Sequence, residues 1–442
     1  MFRGPFTVDQ AEAVCAGDGL PRAAVAALLS RLVEQSLVQA NGAQFWLLET
    51  LRTYADEQLD PAMTAALRRR HAYDTAERLS AISEDLMTPR EPVAVATLTA
   101  LVPDLSAAWE FAAAHDHPLG VRLAADIFSF AYLRQRLDLL RWALEATAWD
   151  LEHEDMPRAL AAAAAGAWAH GELDKARTLV DRGIALAGGA DRPAAADVLD
   201  VRADLDMFAG NAERAVQGYR TVAWHRRGDA IGVLFSDIAA AQARAYGPRR
   251  AELVAIVPDL LSRADQLGNP SALAFAHFVA GEVFSDHDVD AALHAYATAA
   301  EVGKPADSRL FVLMARTGAV ALLARTGDPA QALEAFSDVL EHWEELGNRA
   351  SQWWTLWYLV VLLDRIAARR DAAVLAGAIS AARDRHESFG SLGERITAAL
   401  DGIAARLGVE HGDDLTRGRD LSLAEAVALS RRAIRDAAAH VR

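Results

Sequence analysis

A few short runs carry residue types that could do chemistry. Asp286-His287-Asp288-Val289-Asp290 gathers carboxylates and an imidazole as a divalent-cation site would. It lacks the glycine at the sixth position and the distal glutamate of a calcium loop, so it reads as a polar turn. His115-Asp116-His117-Pro118 pairs two imidazoles, but a helix stop followed by a turn accounts for it more simply. Cys15, the sole cysteine, has no histidine near it in sequence and reads as a small core residue rather than a nucleophile. Gly303-Lys304 is followed by Pro305 and forms no phosphate loop. Dinucleotide, zinc-peptidase and serine-nucleophile signatures do not occur. Enzyme activity, cofactors and metals are therefore not expected.

Two further groups suit binding. Trp353, Trp354, Trp357 and Tyr358, with Trp343 upstream, fall on two adjacent helical stripes, too broad for one buried seam. They belong to the core, or they form a platform for a ligand or partner on a concave face. Among the cations, Arg68-Arg69-Arg70-His71 points around more than a full helical turn and makes no single basic face. Solvated pairing with Glu57, Asp74 and Glu77 is the default, and a phosphate or acidic-partner contact the other reading.

The elements that must position these residues are helical. The chain has 442 residues, too many for one ordinary core, which suggests two or three domains or one elongated array. Alanine is roughly a fifth of it, and alanine with Leu, Arg and Glu favours helix. A net charge of −16 argues against a broad nucleic-acid binder, which needs clustered cations. The apolar stretches at 355–363 and 159–169 fall short of the ~20 residues that span a bilayer. The first residues lack the pattern of a signal peptide, so a cytoplasmic location and no membrane partner are expected.

Residues 1–60 read as a winged-helix unit. Thr7 caps a first helix, Pro21 opens a second, and strands at 37–40 and 44–48 flank Asn41-Gly42, which supplies the positive-φ residues of a hairpin. A third helix from Glu49 closes it. Arg22 and Arg31 on the second helix are the candidates for DNA or partner contact, with Ser30 and Gln35 beside them. Glu34 lies among them, and this is thin for base readout. Residues 61–157 read as a helical connector; Met87-Thr88-Pro89-Arg90-Glu91 echoes a helix-turn-helix opening, but no recognition helix follows.

From about residue 158 the chain repeats. Turns at Gly171-Glu172, Gly210-Asn211, Gly247-Pro248, Asp286-His287-Asp288, Gly327-Asp328-Pro329 and Arg369-Arg370 are each followed by a helix bearing a small residue. These are Ala176, Ala215, Ala251, Ala291, Ala332 and Ala372, separated by 39, 36, 40, 41 and 40 residues. Small residues let the two helices of a hairpin approach, while Tyr219, Tyr296 and Phe336 fill the seam with the next repeat. The pattern resembles tetratricopeptide repeats, best in the run from Gly327 to Phe336, with a period nearer ~40 than ~34. The expected fold is mostly α: a TPR-like superhelical solenoid over 158–390 behind a small β-bearing head. A cap follows at 391–442, built of helices at 396–407 and 423–441 around a loop with Gly412 and Gly418.

Several blocks resemble bacterial signal-transduction ATPases of the STAND class, the LuxR-, AfsR- and adenylate-cyclase-linked regulators of actinobacteria. They are Phe2-Arg3-Gly4-Pro5-Phe6-Thr7, Ala11-Glu12-Ala13-Val14-Cys15, Leu32-Val33-Glu34-Gln35-Ser36-Leu37-Val38, Leu48-Glu49-Thr50-Leu51-Arg52-Thr53-Tyr54-Ala55 and Arg69-Arg70-His71. The likeness continues in Ala372-Ala373-Val374-Leu375-Ala376-Gly377-Ala378 and Leu421-Ser422-Leu423-Ala424-Glu425-Ala426-Val427. It implies a winged helix that follows a nucleotide-binding domain, with a helical sensor arm behind it. The residues that would bind nucleotide are not in this sequence, so a fragment of a larger regulator or a free-standing sensor arm is expected. The function that follows is a non-catalytic regulatory module. Its head docks on an NTPase domain in cis or in trans, and its repeats receive a protein partner or small-molecule inducer. The alternative is a transcription factor that binds DNA through residues 1–60.

Overall fold

A computed structural model describes residues 1–17, 19–247, 250–384, 401–403, 405–407 and 409–441. The protein is an α-helical superhelix of stacked hairpins with one two-stranded hairpin near its start. Among the described residues, six helix pairs make the array. They are Met156–Ala169 with Leu173–Leu186, Ala196–Phe208 with Ala212–His225, and Ala230–Ala245 with Val257–Leu267. Then come Pro270–Phe284 with Val289–Gly303, Arg309–Thr326 with Pro329–Glu345, and Arg349–Arg365 with Arg369–Asp384. In the described residues the expected turns fall between the two helices of a pair, except the last: Arg369-Arg370 already begins the helix, and the turn lies just before it at 366–368.

The aspartates at the fourth and fifth turns act as caps, whereas Glu172 and Asn211 hold the N-cap position without a side-chain hydrogen bond. Asp288 accepts from the Ala291 amide and Asp328 from that of Gln331, both at 2.9 Å, each filling a donor that the first helical turn leaves open. Asp229, Asn269 and Asn348 do the same for first helices of their pairs. The Asp286–Asp290 run is thereby explained, since Asp286 pairs with Arg250 and Arg325. His115-Asp116-His117 is likewise a cap: Asp116 accepts from the Leu119 amide, and His117 stacks on Trp149 at 4.2 Å.

The small residues are the hairpin contacts. Ala176, Ala215, Ala332 and Ala372 are wholly buried. Two positions depart from the pattern. The fourth pair buries Ala292, not Ala291, a one-residue rotation about the helix. Ala251 is exposed because a 3-10 segment, Arg250–Ala255, delays the second helix of the third pair to Val257. Tyr219, Tyr296 and Phe336 are buried; Tyr219 bonds Asp204 within its own pair, and Tyr296 reaches the next pair. Tyr296 lies so close to Gly281 and Gly318 that a Cβ on either would stand 2.5 or 2.6 Å from its ring.

Helices before the array do not lead into it as a straight stalk. One core runs from Ala72 to Ala437 and includes Leu98, Leu105 and Trp109 of Glu91–His115. That 25-residue helix, not the stretches at 355–363 and 159–169, is long and apolar enough to cross a membrane. Here its apolar face packs on Pro61–Ser83 and His117–Asp126, and it carries Pro103 and a buried Asp104. Polar ties then reach across the superhelix. Glu91 accepts from Ser271 and Arg134, and Arg134 donates to the Ala306 carbonyl. Asn269 donates to the Leu86 and Thr88 carbonyls, and Asn348 to Gln135.

At the N-terminus, Val8–Cys15 begins with a complete Thr7–Gln10 capping box, followed by Arg22–Glu34, a hairpin and Glu49–Gln58. The strands are shorter and shifted from expectation: Gln39–Asn41 pairs with Gln44–Trp46, and the turn residues are Gly42-Ala43. Only Gly42 takes a positive φ, at 60°, which matches a turn with glycine first; Asn41 is the last strand residue. Phe6, Ala11, Val25 and Leu29 make a small separate core. At the other end, Gly412–Gly418 is helical rather than a loop and packs on Arg369–Asp384. Gly377 and Gly418 let these two backbones touch. The helix expected at 396–407 and the boundary at 390 lie largely outside the described residues.

Candidate functional site

The first helices of successive pairs face the inside of the curve, and between them and residues 80–133 lies an open cavity of about 670 Å³. One helix, Ala196–Phe208, gives the cavity its polarity. Asp197, Asp200 and Asp204 stand at 0, 3 and 7 on one face, and Met207 and Phe208 continue that face into an apolar end. Phe275 and Phe311 stack there at 4.3 Å, with Phe235 6.1 Å from each. Phe208 packs on Trp168 and Trp354 at 5.3 and 4.5 Å.

The three carboxylates differ in partner and therefore in charge. Arg226 donates to Asp197 at 2.8 Å and to Asp200 at 3.0 Å. Arg158 lies 3.6 Å from Asp197. Burial opposes ionisation of Asp197, but Arg226 and Arg158 outweigh it and hold the carboxyl below its ordinary range. Asp200 is pushed up by burial and by Asp197, with one arm of Arg226 in opposition. Asp204 accepts from Tyr219 at 2.6 Å and Tyr132 at 3.2 Å, both neutral donors. Burial and the charge of Asp200 push it up to about 7. The same burial, with Asp204 beside them, raises both tyrosine hydroxyls well above their usual value.

The residues selected from sequence lie elsewhere or deeper. Trp343, Trp353 and Trp357 are buried to 1% exposure or less, and Trp354 to 8%. They are core and not an open platform, because Arg349–Arg365 is covered on several sides at once. Its neighbours include Arg309–Thr326, Pro329–Glu345, Arg369–Asp384 and Leu423–Val441. Trp343 donates to Thr317 at 3.1 Å, and Arg383 lies over the Trp357 ring. Tyr358 is half-buried, and Trp354 reaches the cavity wall through Phe208. Arg22 and Arg31 are exposed, Arg22 in an ion pair with Glu12 at 2.8 Å. Arg70 donates to the Val14 carbonyl and ties the head to Pro61–Ser83; Arg69 lies over Tyr73 and Arg68 is exposed. Asp74 and Glu77 pair with Arg78 and Arg122 rather than with this run. Cys15 is half-buried, and burial pushes its thiol up, away from reactivity.

The aspartate stripe escaped the sequence reading, although its 0, 3, 7 spacing is plain. The usable signal was acid on a face that the first helices of neighbouring pairs otherwise make apolar.

No family model matches the chain, and no curated protein matches it in sequence. Among solved structures it is similar to a signal transduction ATPase with numerous domains, with a tetratricopeptide repeat sensor, from Pyrococcus horikoshii. The identity is 13% and the TM-score 0.47, over 98% of this chain and 61% of that one. It is also similar to a Rap protein complexed with competence and sporulation factor, at 12% identity and a TM-score of 0.47, over 78% of this chain and 99% of that one. The chain thus spans less than two thirds of the first of these structures.

Proposed function

We propose that this protein is a non-catalytic regulatory module working in the cytoplasm, whose helical repeats receive an inducer or a segment of a protein partner. The observation that carries the reading is the cavity on the inner side of the superhelix, lined by polar groups at one end and aromatic rings at the other. Its size falls in the range of small-ligand sites, a few hundred to ~1,000 Å³. The sequence blocks that resemble STAND-class regulators support the rest. The head is a winged helix that docks on an NTPase domain, in cis or in trans, and occupancy of the repeats biases that docking.

A thermal-shift screen of small molecules and short peptides tests this, run in parallel on Ala239→Trp. Ala239 is buried in the cavity wall, and the larger side chain fills the space. Ligands are expected that raise the melting temperature of the wild type and not of the variant. Hits that stabilise both equally place binding elsewhere and overturn the reading. DNA binding is the second reading. It has the exposed Arg31 in its favour and the Arg22–Glu12 pair against it. A sequence-specific, salt-sensitive mobility shift lost in an Arg22→Ala/Arg31→Ala variant would establish it instead.

A further inference from the structure

We infer that the ligand of the cavity is an amphiphilic cation, a protonated amine carried at one end of a flat apolar body. The inference rests on the cavity being the binding site and names the chemistry that fits it.

The helix Ala196–Phe208 lays the requirement out in a line. From Asp197 to Phe208 is eleven residues, roughly 16 Å along a helix axis, and the face changes from carboxylate to aromatic over that distance. A ligand lying along it meets charge first and rings second. A wholly polar ligand would leave the Phe235, Phe275 and Phe311 wall wet, and a wholly apolar one would strip water from the aspartates without replacing it.

The sign of the charge follows from the pairing. The two guanidinium groups lining the cavity, Arg158 and Arg226, are both engaged by Asp197, and Arg226 also by Asp200. Arg226 offers an anion no open fork; Arg158 is held less closely, Nε 3.6 Å from Asp197 and a terminal nitrogen 3.5 Å from Ser129, but two guanidinium charges still face three aspartates. Asp204 is different: its two oxygens accept from Tyr219 and Tyr132, and no cation reaches it among the described residues. The charged groups facing it are Asp200 on its own helix and Arg226 beyond the next one, the latter bonded to Asp197 and Asp200. An incoming ammonium beside Asp204 would fill that gap and leave the existing network whole. The aromatic residues at the far end suit the apolar body by offset or edge contact. An ammonium drawn to the Asp204 carboxylate binds its ionised form, so binding displaces a proton wherever that carboxyl is still protonated. The bound state then carries one N–H···O contact from the ligand to Asp204 in place of that proton.

Three probes with one body separate the possibilities: 4-phenylbutylamine, its N-acetyl derivative and 5-phenylpentanoate, titrated by calorimetry and by saturation-transfer NMR into the full chain. The amine is expected to bind at least tenfold tighter than either counterpart, and tighter at pH 8 than at pH 6, with proton release on binding. Asp204→Asn, close in shape, should cut amine affinity tenfold or more and abolish the pH dependence. Phe311→Ala should weaken the amine while preserving its charge preference. Circular dichroism checks that both variants fold. Equal binding of all three probes, lost in Phe311→Ala, would overturn the charge assignment while leaving the cavity as the binding site. Amine binding indifferent to Asp204→Asn, or no binding by the amine, would also overturn it; the separate Ala239→Trp screen then decides whether the cavity reading falls too.

Discussion

Asp204 is held among neighbours that resist its charge, and that resistance has a stability consequence. Its folded-state value of about 7 lies above the ordinary 3.8, so the protonated form is the one the fold favours. The associated stability is fully present below about pH 4 and is lost as pH rises through 7. Asp200 is shifted in the same direction, Asp197 in the opposite one. Asp204→Asn removes the largest of these dependences. Urea midpoints taken at about pH 5 and pH 8 should fall less with pH in the variant than in the wild type; parallel slopes would show that Asp204 is already ionised. Packing at Tyr296 makes a second prediction at this scale. A methyl at Gly318 would meet its ring at 2.6 Å, with Gly281 closing the other side. Gly318→Ala should therefore cost about 1–3 kcal/mol, the usual range for overpacking a filled core. A stability unchanged in denaturant titration would mean that the ring can slide.

Helices here are defined by their ends as much as by their faces. Asp328 sits outside the core, and its carboxylate accepts from the Gln331 amide, so its removal isolates a cap. Asp328→Ala should lose about 1 kcal/mol without change in the fold, read from chemical denaturation. Asp328→Ser should recover much of it, and failure to do so would assign the loss to something other than capping. Such caps are why the turns were legible in sequence: a polar residue before a helix and a small residue inside it recur with the pair. The third pair departs from the repeat pattern because Arg250–Ala255 adopts 3-10 geometry, which keeps the spacing of the repeat but not its rotation. The tryptophans were only partly legible, since periodicity reports how wide an apolar face is, not how many neighbours cover it. Arg349–Arg365 buries twelve residues because it is packed nearly all round. The acidic stripe was readable as spacing, but its meaning depends on the helices opposite, which sequence alone does not place.

At the scale of the whole molecule, stacking alone does not account for the fold. A linear array contacts only its neighbours, and its stability approximates a sum of local terms that can separate on unfolding. This chain adds contacts between residues 86–135 and 269–348, across the curve, and the central ones are made by the two members of a buried ion pair on the first side. Glu91 and Arg134 are 0% and 1% exposed, Glu91 also accepts from Ser271, and Arg134 reaches the Ala306 carbonyl. Burial lowers the Arg134 value, yet Glu91 beside it favours the charged form. Removing one partner leaves a buried carboxylate facing only Ser271, and a loss of about 3–5 kcal/mol is the usual result. Arg134→Ala should lose that much, whereas replacing both, as Glu91→Gln with Arg134→Met, should recover part of it by removing the uncompensated charge. The pair also bears on cooperativity. If these ties join the two sides of the curve, the wild type unfolds in one transition, with far-ultraviolet dichroism and tryptophan fluorescence superimposable. In Arg134→Ala the two signals should separate, the tryptophan-rich later repeats outlasting helices 61–146. Superimposable curves in the variant, at lowered stability, would show that apolar packing along the core holds the two sides together without the ion pair.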